Sequence, residues 1–251
     1  RFFNFLKLFC KNLSCFKSNN NGMSNISWFK FEDKDLDFPF YKKNPHVPKW
    51  GWIVLFIAMI LGLILSISSQ IHITALSCVV IIVPVLYFLK WDYKAIFQKL
   101  SLRDIALALA LFVGYIIYAE LMSALIGFFG ISGGTLVDSS TITIMSVFSL
   151  IFSLMTEEFV KFIPFMFFMR LIYKYSDNRK LSVILSMFIV MIFFASMHAY
   201  NWNMFLFAIC IQGFGSIFEF IGYIKTKNIL VSYISHLCTD FLAFGLVLIG
   251  L

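Results

Sequence analysis

Seven long apolar stretches constrain the fold of this chain more than any other feature. They run over residues 50–69, 74–89, 104–127, 140–169, 182–198, 204–224 and 229–250. A helix needs about 20 mostly apolar residues to cross a hydrocarbon layer, and a bilayer accepts only helices or closed barrels. The chain is 61% hydrophobic and 13% charged, whereas about 25% of residues in soluble domains are charged. The sequence therefore predicts an all-α, polytopic transmembrane helical bundle of about seven to eight spans.

Basic residues between the stretches predict the topology of the bundle. Lysine and arginine concentrate in every second connection, at 90–103, 170–180 and 225–227. Because such connections stay on the cytoplasmic side, the N-terminus is predicted to be cytoplasmic. The net charge of +7 is explained by this topology, so we expect membrane lipids and no nucleic acid as partners.

Two regions are predicted. Residues 1–49 are a basic N-terminal juxtamembrane segment, because they lack an apolar run long enough to span a bilayer. Residues 50–251 are the integral membrane domain. The cysteines show no C-x-x-C spacing, which favours free thiols over disulfides or a zinc site; they are Cys10, Cys15, Cys78, Cys210 and Cys238.

Ionisable side chains inside the later stretches are the first sign of a site. Glu157 and Glu158 are followed by Lys161 within one stretch, and one acid at a helix centre costs about 2.5–3.5 kcal/mol. Residues four apart share a helix face, so Glu157 is predicted to face Lys161. The other ionisable residues in the later spans are His198, Glu219, His236 and Asp240. We expect these groups to meet inside the bundle, either as a site or as buried structural pairs.

Three motifs occur in a fixed order on separate predicted spans. They are Glu157-Glu158-Phe159-Val160-Lys161-Phe162, Phe194-Ala195-Ser196-Met197-His198 and His236-Leu237-Cys238-Thr239-Asp240. This order resembles the Glu-Glu-x-x-x-Arg, Phe-x-x-x-His and His-x-x-x-Asn/Asp signature of the CAAX protease and bacteriocin-processing (CPBP/Abi) family of intramembrane glutamate endopeptidases. The resemblance covers a core of about 140–244.

The resemblance implies a hydrolase that cuts a peptide bond in a membrane-associated protein or peptide. Glu157 would activate the water and His198 would position it, with Glu158 tuning the first motif. His236 would donate to the oxyanion, and Asp240 would orient His236. The family requires no cofactor, and zinc held by one glutamate and two histidines is the alternative. The implied location is a bacterial cell membrane, in a role such as bacteriocin processing.

One departure from the family pattern keeps other functions open. Phe162 stands where the family has arginine, and Lys161 lies one residue earlier, about 100° round the helix. A non-catalytic membrane immunity or scaffold protein with the same fold is the main alternative. A PrsW-type protease that uses Glu219 is another, although Gly215 stands where that motif has phenylalanine. A proton-relaying transporter would depend on Glu120 as well.

Overall fold

The computed structural model describes residues 47–68, 70–131, 133 and 142–248. Most of the predicted juxtamembrane segment 1–49 lies outside these residues. The described part of the chain is all-helical, without a strand. Its helices are α1 (Lys49–Ser66), α2 (Ile71–Phe88), α3 (Leu102–Phe128), α4 (Ile144–Ser176), α5 (Arg179–Met197), α6 (Trp202–Ala208), a π-helix (Ile209–Gly213), α7 (Ile217–Thr226) and α8 (Ile229–Leu248), with a 3₁₀ turn at Tyr93–Ala95.

Seven helical segments correspond to the seven predicted spans. Six are long and apolar enough to cross a membrane: α1, α2, α3, α5, α8 and the segment Trp202–Thr226, which contains α6, the π-helix and α7. The seventh is α4, the longest helix, with 33 residues. The prediction of a polytopic membrane bundle is confirmed, with boundaries shifted by a few residues at most ends.

Helix α4 is the central helix of the bundle. It packs against α1, α2, α5 and α8, and every residue from Glu158 to Met166 is buried. A helix that is buried on all sides belongs to the core of a protein rather than to its surface. Glu158 and Lys161 of the first motif therefore lie where neither water nor lipid can serve as their partner.

A polar seam fastens α4 to α2. The hydroxyl groups of Ser77 and Thr156 are 2.6 Å apart, and the Cys78 thiol donates to the carbonyl of Phe152 at 3.1 Å. Cys78, Cys210 and Cys238 are free thiols, as predicted. Cys10 and Cys15 lie outside the described residues.

Two connections are bonded together at one end of the bundle. The Asn228 side chain accepts from the Gln98 amide at 3.2 Å and donates to the Gln98 carbonyl at 2.9 Å. The Ile229 amide donates to the Ile96 carbonyl at 2.9 Å. These bonds place the α2–α3 and α7–α8 connections at the same end, in agreement with the alternation of basic connections.

The π-helix is held by close contacts on two sides. A Cβ added at Gly213 would lie 2.9 Å from the Met191 carbonyl oxygen, so glycine lets the π-helix approach α5 closely. From the other side, the Tyr118 hydroxyl on α3 donates to the Cys210 carbonyl at 2.5 Å. Single π-turns inside helices occur often at functional sites, and this one borders the cavity described below.

Candidate active site

A cavity of about 420 Å³ lies inside the bundle between α3, α4, α5, the π-helix, α7 and α8. Four of the five predicted site residues line it: Glu157, His198, His236 and Asp240. Counted along the predicted spans, the two histidines differ in depth by about 13 Å. The lining residues on α8 run from His236 to Phe244, about 12 Å along the axis. The cavity is therefore long enough to reach both histidines.

The two glutamates of the first motif have different environments. Glu157 follows Leu150 and Leu154 along the cavity-facing side of α4, and it is only partly buried. Glu158 is 4% exposed and does not line this cavity, because consecutive helical residues point about 100° apart. The doublet therefore divides into one acid that borders an open space and one that is enclosed by protein.

Glu158 belongs to a buried charged cluster, which we define as Glu158, Lys161, Glu219 and His236. The Glu158 carboxylate lies 2.5 Å from the Lys161 ammonium and accepts from Nδ1 of His236 at 2.8 Å. Lys161 also donates to the Glu219 carboxylate. The His236 ring nitrogen Nδ1 is 3.8 Å from Glu219 Oε1. Side chains from α4, α7 and α8 thus meet at one point.

The prediction that Lys161 faces Glu157 is wrong, since its ion pairs are with Glu158 and Glu219. Steps of three and of four residues both bring helical side chains together, so spacing alone leaves the choice open. Lys161 pairs with Glu158 rather than Glu157 because Glu219 on α7 attracts the ammonium toward the Glu158 side of α4.

The charges of the cluster are close to balanced. Two carboxylates and one ammonium leave one negative charge, which His236 cancels when it is an imidazolium. Pairing of this kind is needed because an isolated charge at such a buried position would be very costly. The Ser232 hydroxyl adds a hydrogen bond to the Glu219 backbone carbonyl, which ties α8 to α7 beside the cluster.

Phe162, where the family pattern has arginine, is part of the apolar core. It is 3% exposed, and its ring centroid lies 5.2 Å from that of Tyr223 and 5.8 Å from that of Phe159. The cation of the first motif is therefore supplied by Lys161, on another side of the same helix.

His198 caps the C-terminal end of α5 and is half-buried. Its Nδ1–H donates to the Phe194 carbonyl at 2.9 Å, which leaves Nε2 as an acceptor when the ring is neutral. The Phe194 ring packs edge-on against His198 at 4.6 Å and lies 4.9 Å from the Lys161 ammonium. The middle motif therefore connects the cavity to the charged cluster.

Asp240 lies one turn beyond His236 on the same face of α8. Its Oδ1 is 3.9 Å from Nε2 of His236, and its side chain is 28% exposed. This distance permits electrostatic attraction but exceeds a hydrogen bond. Asp240 also lies within electrostatic range of Glu157 and His198, so it connects the groups around the cavity.

Three uncharged polar residues also line the cavity, at positions to which the motifs give no role: Tyr115, Gln212 and Thr239. Gln212 lies in the π-helix, and its Oε1 is buried without a hydrogen-bond partner among the described residues. A Cβ at Gly215 would be 2.5 Å from the Tyr115 ring, so this glycine makes room for the tyrosine. The sequence carries no signal for Gln212, because a π-turn changes which residues face inward.

Glu219 lines the same cavity and completes the buried cluster. Its signal was present in the sequence, because it is an ionisable residue within an apolar stretch. The motif order of the CPBP/Abi family does not include it, and only the PrsW-type alternative assigns it a role.

Among the residues that the structure describes, three potential metal ligands come together in the charged cluster. Ligand atoms of Glu158, Glu219 and His236 lie within 4.8 Å of one another, a set that differs from the predicted alternative of one glutamate with His198 and His236. The Lys161 ammonium bonds both carboxylates and is 3.5 Å from His236 Nδ1. A divalent ion would have to displace this ammonium, so the set does not fit a metal in this arrangement.

The chain was compared with known protein families, curated proteins and solved structures. No protein-family model, curated protein or solved structure matches the chain. Function is therefore inferred from the residues around the cavity and from the charged cluster that adjoins it.

Proposed function

We propose that this protein is an intramembrane endopeptidase of the CPBP type, which hydrolyses a peptide bond in a membrane-associated protein or peptide. One observation carries the proposal. Glu157, His198, His236 and Asp240 come from three helices and line one cavity inside a membrane bundle. Random burial of polar residues in a membrane protein is costly, so their meeting around an open space favours a chemical role over a purely structural one.

Peptide hydrolysis requires a water molecule and a base that removes its proton. Glu157 is suited to this role because its carboxylate borders the cavity, whereas Glu158 is fully used by ion pairs. Nε2 of His198 is the second acceptor for the same water, since Nδ1 is bonded to the Phe194 carbonyl. Two acceptors on one water would direct its oxygen lone pair at the substrate carbonyl.

The tetrahedral intermediate needs a donor for its oxyanion. His236 can provide one through Nε2–H, because Nδ1–H is bound by the Glu158 carboxylate. That carboxylate and those of Glu219 and Asp240 lie around the imidazole ring. The buried cluster therefore acts as the electrostatic support of the donor, and Asp240 keeps the ring turned toward the cavity.

The substrate would be an extended peptide. Inside a bilayer, backbone groups of a helix are already paired, and a peptide bond has to leave the helix before water can attack it. The unwound backbone then needs new partners. Gln212 Oε1, buried at the cavity wall, is an acceptor for one freed N–H group, and the Tyr115 hydroxyl is a further polar group on the same wall.

A PrsW-type protease is the second candidate, and Glu219 favours it. Glu219 lines the cavity and bonds Lys161 of the first motif, as expected if the middle acidic motif belongs to the site. The two candidates differ in the residue of the middle helix that acts. In the CPBP type it is His198, and in the PrsW type it is Glu219.

The proposal is tested by replacing Glu157 with glutamine and comparing new protein N-termini in cells that express each form. We expect N-termini that appear with the unaltered chain and disappear with Glu157→Gln, because loss of a general base lowers rates by about 10²–10⁴-fold. Glu120→Gln is the matched control, since Glu120 is exposed on α3 and does not line the cavity. It should leave the same N-termini in place.

Purified protein then separates the alternatives. With an identified peptide in ¹⁸O-water, hydrolysis places one heavy oxygen in the new carboxylate. In the CPBP type, His198→Ala should abolish cleavage and Glu219→Gln should leave part of it. In the PrsW type, Glu219→Gln should cause the larger loss. A chelator should have no effect. Identical N-termini from the unaltered chain and from Glu157→Gln would refute the protease and support a non-catalytic immunity or scaffold protein.

A further inference from the structure

A second cavity, of about 590 Å³, lies at the end of the bundle where the basic connections meet. Its charged lining consists of Lys99, Arg103, Asp104 and Lys225, from the α2–α3 connection, the start of α3 and the end of α7. This cavity shares no lining residue with the proposed active site. Three cations and one carboxylate give it an excess of two positive charges.

The negative group in this cavity is already engaged. Asp104 accepts from the Ser101 amide at 2.9 Å and from the Ser101 hydroxyl at 2.8 Å, and the hydroxyl in turn accepts from the Asp104 amide. This capping box fixes the first turn of α3. The carboxylate is thereby held against the first turn of α3, and the charged lining keeps its excess of two positive charges.

The walls of the cavity are held in place by hydrogen bonds. The connection that carries Lys99 is bonded through Gln98 to Asn228, and through Ile96 to Ile229. Lys225 lies in the last turn of α7, just before that bonded turn. The backbone segments that carry the cations are therefore held at a set separation. A backbone that is already fixed in this way does not have to be ordered when an anion binds, which lowers the entropy cost of binding.

The surface beside the cavity continues as a lipid-facing stripe on α3. Leu102, Ile105 and Leu109 are 86%, 38% and 46% exposed, and they follow one another at helical spacing from the cavity into the membrane. Only 11% of the residues in the apolar stretch of α3 are buried against the rest of the protein. An anion that also carries long apolar chains would fill the cavity and cover this stripe together.

We propose that this cavity binds the phosphate of an anionic phospholipid, with the acyl chains lying along the outer face of α3. The cations match a phosphate in charge, and basic pockets at the cytoplasmic ends of membrane helices favour such headgroups. The apolar stripe favours a lipid over a soluble phosphate compound. The inference does not depend on the proposed protease activity, because the two cavities use different residues.

The test is retention of lipid by the full chain after purification in detergent, measured by native mass spectrometry with added phosphatidylglycerol or phosphatidylcholine. We expect phosphatidylglycerol to be retained at least tenfold more. Each cation near a membrane surface contributes roughly a factor of five. The variant with Lys99→Gln, Arg103→Gln and Lys225→Gln should therefore lose roughly a hundredfold in retention at low salt.

The matched control carries Lys94→Gln, Lys174→Gln and Lys180→Gln, three exposed lysines that do not line the cavity. It has the same net charge as the first variant and should retain the lipid. If both triple variants lose the lipid equally, general surface charge is responsible and the site is refuted. If inorganic phosphate alone displaces the lipid at equal concentration, the lipid assignment is overturned.

The unaltered chain provides a measurement that does not depend on folding of a variant. Retention of phosphatidylglycerol should fall steeply as salt is raised from low to about 0.5 M, because screening weakens exposed cation–phosphate pairs. Retention that is independent of salt, or equal for the two lipids, would contradict the proposal.

Discussion

Lys161→Met removes the one ammonium of the charged cluster while preserving most of the side-chain volume. Lys161 is 3% exposed and lies between Glu158 and Glu219. After the change, two carboxylates remain enclosed with only His236 to compensate them. We expect the folded bundle to be strongly destabilised, because an uncompensated charge in a buried position has no favourable partner.

The size of the effect follows from the geometry of the pair. At 2.5 Å, a unit charge pair at an effective dielectric constant of 20 attracts by roughly 7 kcal/mol. Part of this is offset, because methionine does not bear the desolvation cost of the ammonium. Breaking a buried pair by removing one partner typically costs about 3–5 kcal/mol, and we expect Lys161→Met to lower the free energy of unfolding by that amount.

Unfolding in mixed micelles, induced by SDS and followed by tryptophan fluorescence, measures this free energy. Lys180→Met is the control, since Lys180 is exposed and surface changes usually stay within about 0.5 kcal/mol. Adding Glu219→Gln to Lys161→Met removes one of the two stranded charges and should recover about 1–3 kcal/mol. A loss of less than about 1 kcal/mol in the free energy of unfolding for Lys161→Met would contradict this account. Equally, the effects of Lys161→Met and Glu219→Gln must not be additive, because the two residues are in contact.

Three further changes test other parts of the structure. Phe162→Arg restores the arginine of the family pattern but buries an unpaired cation in the aromatic core, so it should lower the free energy of unfolding by more than about 3 kcal/mol; a stable and more active variant would contradict the role given to Lys161. Gly213→Ala places a Cβ 2.9 Å from a backbone carbonyl of α5 and should cost about 1–3 kcal/mol in the same titration. Gly127→Ala meets nothing within 4 Å and should be neutral or stabilising, so equal losses would refute the packing argument. Ser77→Ala removes the 2.6 Å bond to Thr156 and should cost about 0.6–1.7 kcal/mol; no change in the unfolding midpoint would show that this seam does not hold α2 to α4.

Phe162→Arg and Lys161→Met both test which residue of α4 supplies the cation of the first motif. The cation of the first motif, Lys161, bonds a carboxylate on its own helix and is also bound by a partner on another helix. Here Glu219 is that partner. The first motif therefore contains a buried ion pair, between Glu158 and Lys161, although Phe162 stands where the resemblance leads us to expect arginine.

Several features followed from local pattern alone. The seven apolar stretches predict seven helices, because the length and hydropathy needed to cross a bilayer are properties of each segment by itself. The i, i+4 spacing of His236 and Asp240 also predicted correctly that these side chains share a face, and they lie 3.9 Å apart. Glu157, His198, His236 and Asp240 were predicted as site residues from their order along the chain, and they line one cavity; their catalytic role stays a prediction.

The partners of Lys161 could not be predicted in this way. Its contact with Glu219 joins residues 58 positions apart, and that with His236 joins residues 75 positions apart. No local periodicity encodes such pairs. Gln212 was missed for a related reason, because the π-helix shifts the inward face and its position depends on packing against α5 and α3.

The sequence by itself determined that this is an all-α membrane protein and that its ionisable residues are set on separate helices, since both depend on the chemistry of short segments. Only the tertiary structure decided what the Glu157-Glu158 doublet does. Helix–helix packing turned Glu157 toward an open cavity and enclosed Glu158 with Lys161 and His236. The physical reason is that adjacent residues on a helix point in different directions, and what each direction meets depends on distant parts of the chain.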